Sequence, residues 1–508
     1  MHGGSAGGGY NARFTVCAYN MLAKLEQHPQ ILTAAEAARN RHLVMVLPKV
    51  NDPKALGRIP HLDALERALS RRKKKWADLA AGPITVELPD GALAAWVVRD
   101  ASKSAFEQQT GLRKAVQSVL GEHPRDLAIA VFGTPGERSA AAALATYVAW
   151  VNGARLPQRK KKADAAPLQR IRVYGARDAS GYARLRAQAD GNLLTRELTA
   201  LPPNELMPRA YRDRIRRMAS EQGWQRQEYD LPKLRKLGAG AFVAVAQGSP
   251  AQDAAIVKLS YRARGARKTV ALVGKGICFD TGGHNLKPAR HMHGMHEDMN
   301  GSAVVLGILQ AATDARLPVN LDCWLAIAEN HLSPQAYRQN EVVTALNGTT
   351  IEVVHTDAEG RMVLSDTLTL AARDKPDLVI DFATLTGSMH VALGDRYSGI
   401  FATSDALAAA ALDAGRVSGE RVSVFPMDED YDSALDSDIA DVKQCTLDGN
   451  ADHILAARLL KRFTDDRPWI HMDLSGSSCK GGLGAVGTDI TGFGVGWALA
   501  LIDTFAAR

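Results

Sequence analysis

From Thr269 onward, short apolar runs alternate with stretches of helical periodicity, and this alternation leaves few architectures open. Strands are expected near Thr269 to Val273, Leu321 to Ala328, Ile351 to Val354, Leu378 to Phe382 and Ile470 to Leu474, with helices near Ser302 to Asp314 and Val363 to Arg373. Strands that return through helices pair in parallel and need both faces covered, so the pattern predicts a larger α/β domain with a largely parallel central sheet. Ahead of it, the apolar run Leu127 to Phe132 and a helix from about Ser139 to Val151 predict a smaller N-terminal α/β domain. A chain of 508 residues exceeds what one core usually organises.

The expected divisions are a flexible Gly-rich tail at 1–13, an N-terminal α/β domain at 14–165, a linker with a connecting helix at 166–203, and a catalytic domain at 204–508. Pro202-Pro203 ends the helical pattern of Asn192 to Leu201. Gly133-Thr134-Pro135-Gly136 has the glycines of a phosphate loop but not its Gly-Lys-Ser/Thr ending.

Several function classes fall away. No run approaches ~18 consecutive apolar residues, and the N-terminus lacks a secretory pattern, so a soluble, cytoplasmic protein without a membrane partner is expected. Cys17, Cys278, Cys323, Cys445 and Cys479 are scattered and form no Cys-x-x-Cys pair, which suits reduced core thiols. The net charge of +7 is diffuse, and two basic runs stand out, Arg71 to Lys75 and Arg159 to Lys162. Both read as solvated faces. No groove-reading helix or aromatic platform accompanies them, so nucleic acid is not expected as a partner.

Chemistry gathers where strands end. Gly274-Lys275-Gly276-Ile277-Cys278-Phe279-Asp280-Thr281-Gly282-Gly283 follows the strand ending at Val273, which puts Lys275 and Asp280 where open α/β sheets bind ligands. His355-Thr356-Asp357-Ala358-Glu359-Gly360-Arg361 follows the strand ending at Val354, and its two acids can turn toward one cavity beside a planar cation. Lys287 and Asp298 lie between. Asp298, at the entrance to an apolar helix, also suits a cap. Together Asp280, Asp298, Asp357 and Glu359 make a charge density that is unstable without cations, and a pair of divalent metals answers it.

These segments resemble the leucine aminopeptidase (cytosol aminopeptidase) family. The resemblance is carried by Val273 to Gly283 followed by Leu286-Lys287-Pro288, and above all by Thr356-Asp357-Ala358-Glu359-Gly360-Arg361. Pro203-Asn204-Glu205-Leu206 with Pro208, Gln247-Gly248-Ser249, Ala383-Thr384-Leu385-Thr386-Gly387 and Ala440-Asp441-Val442-Lys443 support it. It covers Asn192 to the C-terminus.

The resemblance implies hydrolysis of the N-terminal residue of peptides by a water activated between two divalent ions, Zn²⁺ or Mn²⁺. One ion would be held tightly by Lys275, Asp280, Asp298 and Glu359, and an exchangeable one by Asp280, Asp357 and Glu359. Lys287 would stabilise the oxyanion, and Arg361 would hold a bicarbonate acting as general base. Met295, Thr384 and Gly387 would receive a Leu- or Met-like first side chain, with the Leu385 carbonyl available to the substrate. A homohexamer is implied as well.

The sequence departs from the family pattern in places. His284, His291, His293 and His296 crowd one loop without a family role, His355 stands where Asn is usual, and His296 where Lys is common. Gly449-Asn450-Ala451-Asp452-His453 replaces a stretch richer in Gly, which bears on substrate range rather than on catalysis. Other readings are a different two-metal hydrolase such as a dipeptidase, and a DNA-binding or regulatory relative.

Overall fold

The computed structural model describes residues 22–161 and 166–506; the tail at 1–13, Cys17 and Lys162 lie outside the described residues. The chain adopts the mixed α/β class. Its first sheet has six strands: β1 (Lys24–His28), β2 (His42–Pro48), β3 (Ile84–Glu87), β4 (Leu93–Arg99), β5 (Asp126–Val131) and β6 (Arg170–Tyr174), in the order β1-β6-β5-β2-β4-β3. Only the β3–β4 pairing is antiparallel among them. Strand β6 lies inside 166–203, so that segment is not merely a linker. Its signal is short: buried Ile171 and Val173 alternate with Arg170 and Arg172, which pair with Glu26 and Asp126 on the neighbouring strands.

The second sheet has eight strands: β7 (Gln225–Asp230), β8 (Ala255–Tyr261), β9 (Thr269–Asp280), β10 (Asn320–Asn330), β13 (Leu378–Ala383), β14 (Ser398–Ala402), β15 (Val422–Val424) and β17 (Trp469–Asp473). Their order is β15-β14-β17-β13-β9-β10-β8-β7, and a small third sheet orders as β11 (Val342–Thr344), β12 (Thr350–Glu352) and β16 (Val442–Lys443). The centre, β17-β13-β9-β10, is parallel, while β8 and β14 join it antiparallel. Near-continuous apolar runs are the mark of strands covered on both faces, and β10 and β13 are buried along almost their whole length.

Three local expectations change. The strand expected at Ile351 to Val354 is shorter and belongs to the small sheet. The helix expected from Val363 begins at Glu359, which puts Glu359 and Arg361 on its first turn rather than in a loop. Strand β9 continues past Val273 to Asp280, so Lys275 is a strand residue. Its Gly274 serves close packing instead of a turn, since a Cβ there would lie 2.6 Å from the Ser302 Cα; on the helix above, a Cβ on Gly301 would lie 2.1 Å from the Phe382 carbonyl oxygen. Helix Asn300–Asp314 is thereby drawn down onto β9 and β13. Gly301→Ala is expected to cost about 1–3 kcal/mol or more, because the atom it meets is backbone and cannot swing aside. An unchanged urea midpoint in that variant would contradict this packing argument.

The N-terminal unit also touches the rim of the site described below. In helix Ala105–Leu120, Arg113 donates to the carbonyls of Gly481 and Val486, and Gln109 to that of Ser418. Asn152 donates to the Ala485 carbonyl. The Arg113 and Asn152 bonds hold the segment that follows Ser477, Ser478 and Lys480, three residues of the cavity wall.

Candidate active site

The carboxyl ends of β9, β13 and β17 and the start of helix Glu359–Arg373 surround one cavity of about 940 Å³. Lys275, Asp280, Lys287, Met295, Asp298, Asp357, Glu359, Arg361, Thr384, Leu385 and Gly387 all line it. Residues far apart in sequence are thus brought to one place by the rule that parallel sheets present ligand sites beyond their strand ends.

Asp280 closes β9. Its Oδ1 accepts from the Gly282 amide and from Asn330 Nδ2, both at 2.8 Å, and its Oδ2 lies 2.9 Å from Lys287 Nζ. Register pairs Asn330 with Asp280 across β10 and β9, which explains how the amide reaches it. Lys275 Nζ lies 2.8 Å from Glu359 Oε1 and donates to Asp298 Oδ1 and to the Thr384 carbonyl, both at 2.9 Å. The Thr384 hydroxyl donates to Asp298 Oδ1 at 2.7 Å, so this side chain orients an acid as well as lining the cavity. Lys287 Nζ is 2.5 Å from Asp357 Oδ1. Asp280, Asp357 and Glu359 each bring an oxygen within 4.8 Å of the others.

The electrostatics record crowding. Burial pushes the Asp298, Asp357 and Glu359 carboxyls above their ordinary range, and neighbouring acids push them further against the lysines. Burial alone would lower the two lysines, yet Asp298, Glu359 and Asp280 around Lys275, and Asp280, Glu359 and Asp357 around Lys287, hold both above the ordinary lysine value. Glu359 Oε2 is buried and has no hydrogen-bond partner among the described residues. An acceptor-only oxygen left in that state inside an acid cluster fits a cation ligand.

Other candidate residues do not assemble. Among the described residues no histidine joins a group with metal-ligand spacing; His284 Nδ1 pairs with the Tyr337 carbonyl, and of the four loop histidines only His291 lines the cavity. His355 lines it too, its Nδ1 accepting from the Asp357 amide at 3.3 Å. Asn330 and Gln444 do not stand out in the sequence, and the role of a third contributor, Asp452, does not either. Asn330 had a faint signal, a polar residue ending a buried strand beside β9. Gln444 follows the noted Lys443; its side chain accepts from the Val354 and His355 amides and its carbonyl from Arg361. Asp452 pairs with Arg361 across 91 positions, which no local pattern announces.

Acids converge inside an α/β protein in this density where divalent cations are to be held, and a lysine among them suits a carbonyl substrate; fold and site define a metallohydrolase. The model for the cytosol aminopeptidase family, catalytic domain, matches residues 193–499. A probable cytosol aminopeptidase of Acidovorax ebreus is 37% identical over 476 residues, covering 90% of this chain and 92% of the relative. One of Rhodopseudomonas palustris is 36% identical over 359 residues, 70% and 71% of the two chains. Among solved structures, a tomato leucine aminopeptidase variant superposes with a TM-score of 0.83 at 25% identity, covering 95% of this chain and 97% of that one. The bottromycin maturation enzyme BotP in complex with Mn gives 0.77 at 30% identity, covering 91% and 99%. The chain belongs to the cytosol aminopeptidase family and is a metal-dependent aminopeptidase.

Proposed function

We propose that the chain removes Leu- or Met-like N-terminal residues from peptides with two divalent ions, Zn²⁺ or Mn²⁺, bound in this cavity. Lys275, Asp280, Asp298 and Glu359 would hold one ion, and Asp280, Asp357 and Glu359 the other. The observation that carries this assignment is the Asp280, Asp357 and Glu359 triad together with the buried, unpartnered Glu359 Oε2. Bound divalent cations supply electrophilic activation of water and of the scissile carbonyl.

The chain's own groups do the rest. Lys287 reaches the cavity with a side chain 14% exposed, and its ammonium donates to the oxygen on which charge develops. Asn330 and the Gly282 amide keep Asp280 aimed into the cavity. Met295 and Gly387 bound the space beside Thr384 and Leu385, an apolar or small surface suited to an uncharged first side chain. Arg361, where the resemblance implies a bicarbonate, already engages Asp452 through Nη2 and the Gln444 carbonyl through Nη1, while its buried Nε has no partner among the described residues.

Turnover of a leucine anilide is expected to vanish on chelation and return with Mn²⁺ or Zn²⁺. Its N-acetylated derivative is expected to stay inert, and equal cleavage of both would favour another two-metal hydrolase. We further propose a cytoplasmic homohexamer and a division between the six-stranded and eight-stranded units near helix Ala183–Thr199. Light scattering tests the assembly: a stable particle of 54.6 kDa at micromolar concentration would exclude it.

A further inference from the structure

Arg361 is buried on the first turn of helix Glu359–Arg373, its side chain 2% exposed, and it already holds an anion of this chain. Nη2 donates to Asp452 Oδ2 at 2.9 Å, and Nη1 to the Gln444 carbonyl at 2.9 Å. Asp452 opens helix Asp452–Lys461 just after Ala451, whose φ of 52° swings the chain into it. Its side chain remains 21% exposed and lines the same cavity as Asp357 and Glu359. A guanidinium so deeply buried requires a counter-anion, and a further anion beside Asp452 would place two like charges against one cation.

We infer that Asp452 is a catalytic residue of this chain, a built-in carboxylate that takes the place of a bicarbonate at Arg361. It acts as the general base. As the water oxygen bonds to the scissile carbonyl carbon, the Asp452 carboxylate accepts the water proton. When the carbon–nitrogen bond breaks, the same proton passes to the departing amine. Water is split across the peptide bond, no electrons change hands and no co-reactant is consumed. Arg361 is then the positioning residue that fixes the carboxylate's angle, leaving Oδ1 for the proton.

This inference rests on the proposed aminopeptidase reading. The test uses full-length, metal-loaded protein in carbonate-depleted buffer, with ¹³C-bicarbonate binding followed by NMR beside kinetics and metal analysis. The wild type is expected to bind no bicarbonate and to gain no rate from it. Asp452→Asn keeps the shape and a partner for Arg361 but cannot take the proton, so kcat is expected to fall roughly 10²–10⁴-fold with metal content intact. Asp452→Ala is expected to open the seat and bind bicarbonate. Stoichiometric bicarbonate binding by the wild type, an Asp452→Asn rate within about twofold of wild type, loss of metal in that variant, or no binding by a folded Asp452→Ala overturns the proposal. If the Ala variant does not fold, the Asn variant decides alone. A wild type that fails to cleave leucine anilide after metal loading sinks the aminopeptidase reading instead, whereas an active wild type matched by Asp452→Asn sinks only this inference.

Discussion

Glu359→Ala is expected to abolish peptide hydrolysis and to strip the protein of most of its metal. Glu359 opens its helix with a side chain 1% exposed, touches Lys275 through Oε1 and leaves Oε2 without a partner. It also belongs to the triad with Asp280 and Asp357, so it faces both proposed ion positions. A bridging ligand holds two cations, and its loss removes a buried negative charge that both require. Asp357 sits at the cavity edge, its side chain 27% exposed and, among the described residues, paired with Lys287, which suits a ligand to one ion. Asp357→Ala should therefore also inactivate the enzyme, but release about one ion. Metal analysis by mass spectrometry reads the difference directly, and two ions retained tightly in Glu359→Ala would overturn the ligand assignment.

Lys287→Ala and Lys275→Ala should fail in different ways although both remove an amine from the same cluster. Lys275 is the deeper, 4% exposed and clamped among Asp298, Glu359 and the Thr384 carbonyl. Its proposed role is that of a neutral ligand, so its loss should weaken metal binding. Lys287 approaches from the open side against Asp280 and Asp357. Its proposed role is to donate to the developing oxyanion, so its loss should leave metal content intact. Removing one such donor costs on the order of 10²–10³ in kcat, ~3–4 kcal/mol, because the stabilisation is realised mainly in the transition state. Equal metal loss in the two variants, or a Lys287→Ala effect confined to KM, would show that the roles are wrongly divided.

The chemistry was more legible than the geometry that serves it. Asp280, Asp357 and Glu359 stood out because acids at strand ends are costly unless used, and that cost is visible residue by residue. The helical start at Glu359 was not, since Thr356 to Arg361 is polar and its periodicity emerges only from Met362 onward. Strand β9 was cut short at Val273 because Gly274 and Gly276 look like turn residues. Only the approach of Ser302 and Ala326 to within contact of those positions shows why side chains are excluded there.

Local pattern by itself determined the α/β class, the central strands and the cluster of lysines and carboxylates, because alternation, periodicity and charge density are properties of neighbouring residues. The tertiary structure alone decided that Asn330 braces Asp280 across paired strands, that Arg170 to Tyr174 completes the first sheet, and that Asp452 meets Arg361. Those relations join residues whose spacing along the chain carries no information about distance. They exist because burying both faces of the sheet fixes where each strand end and helix start must lie.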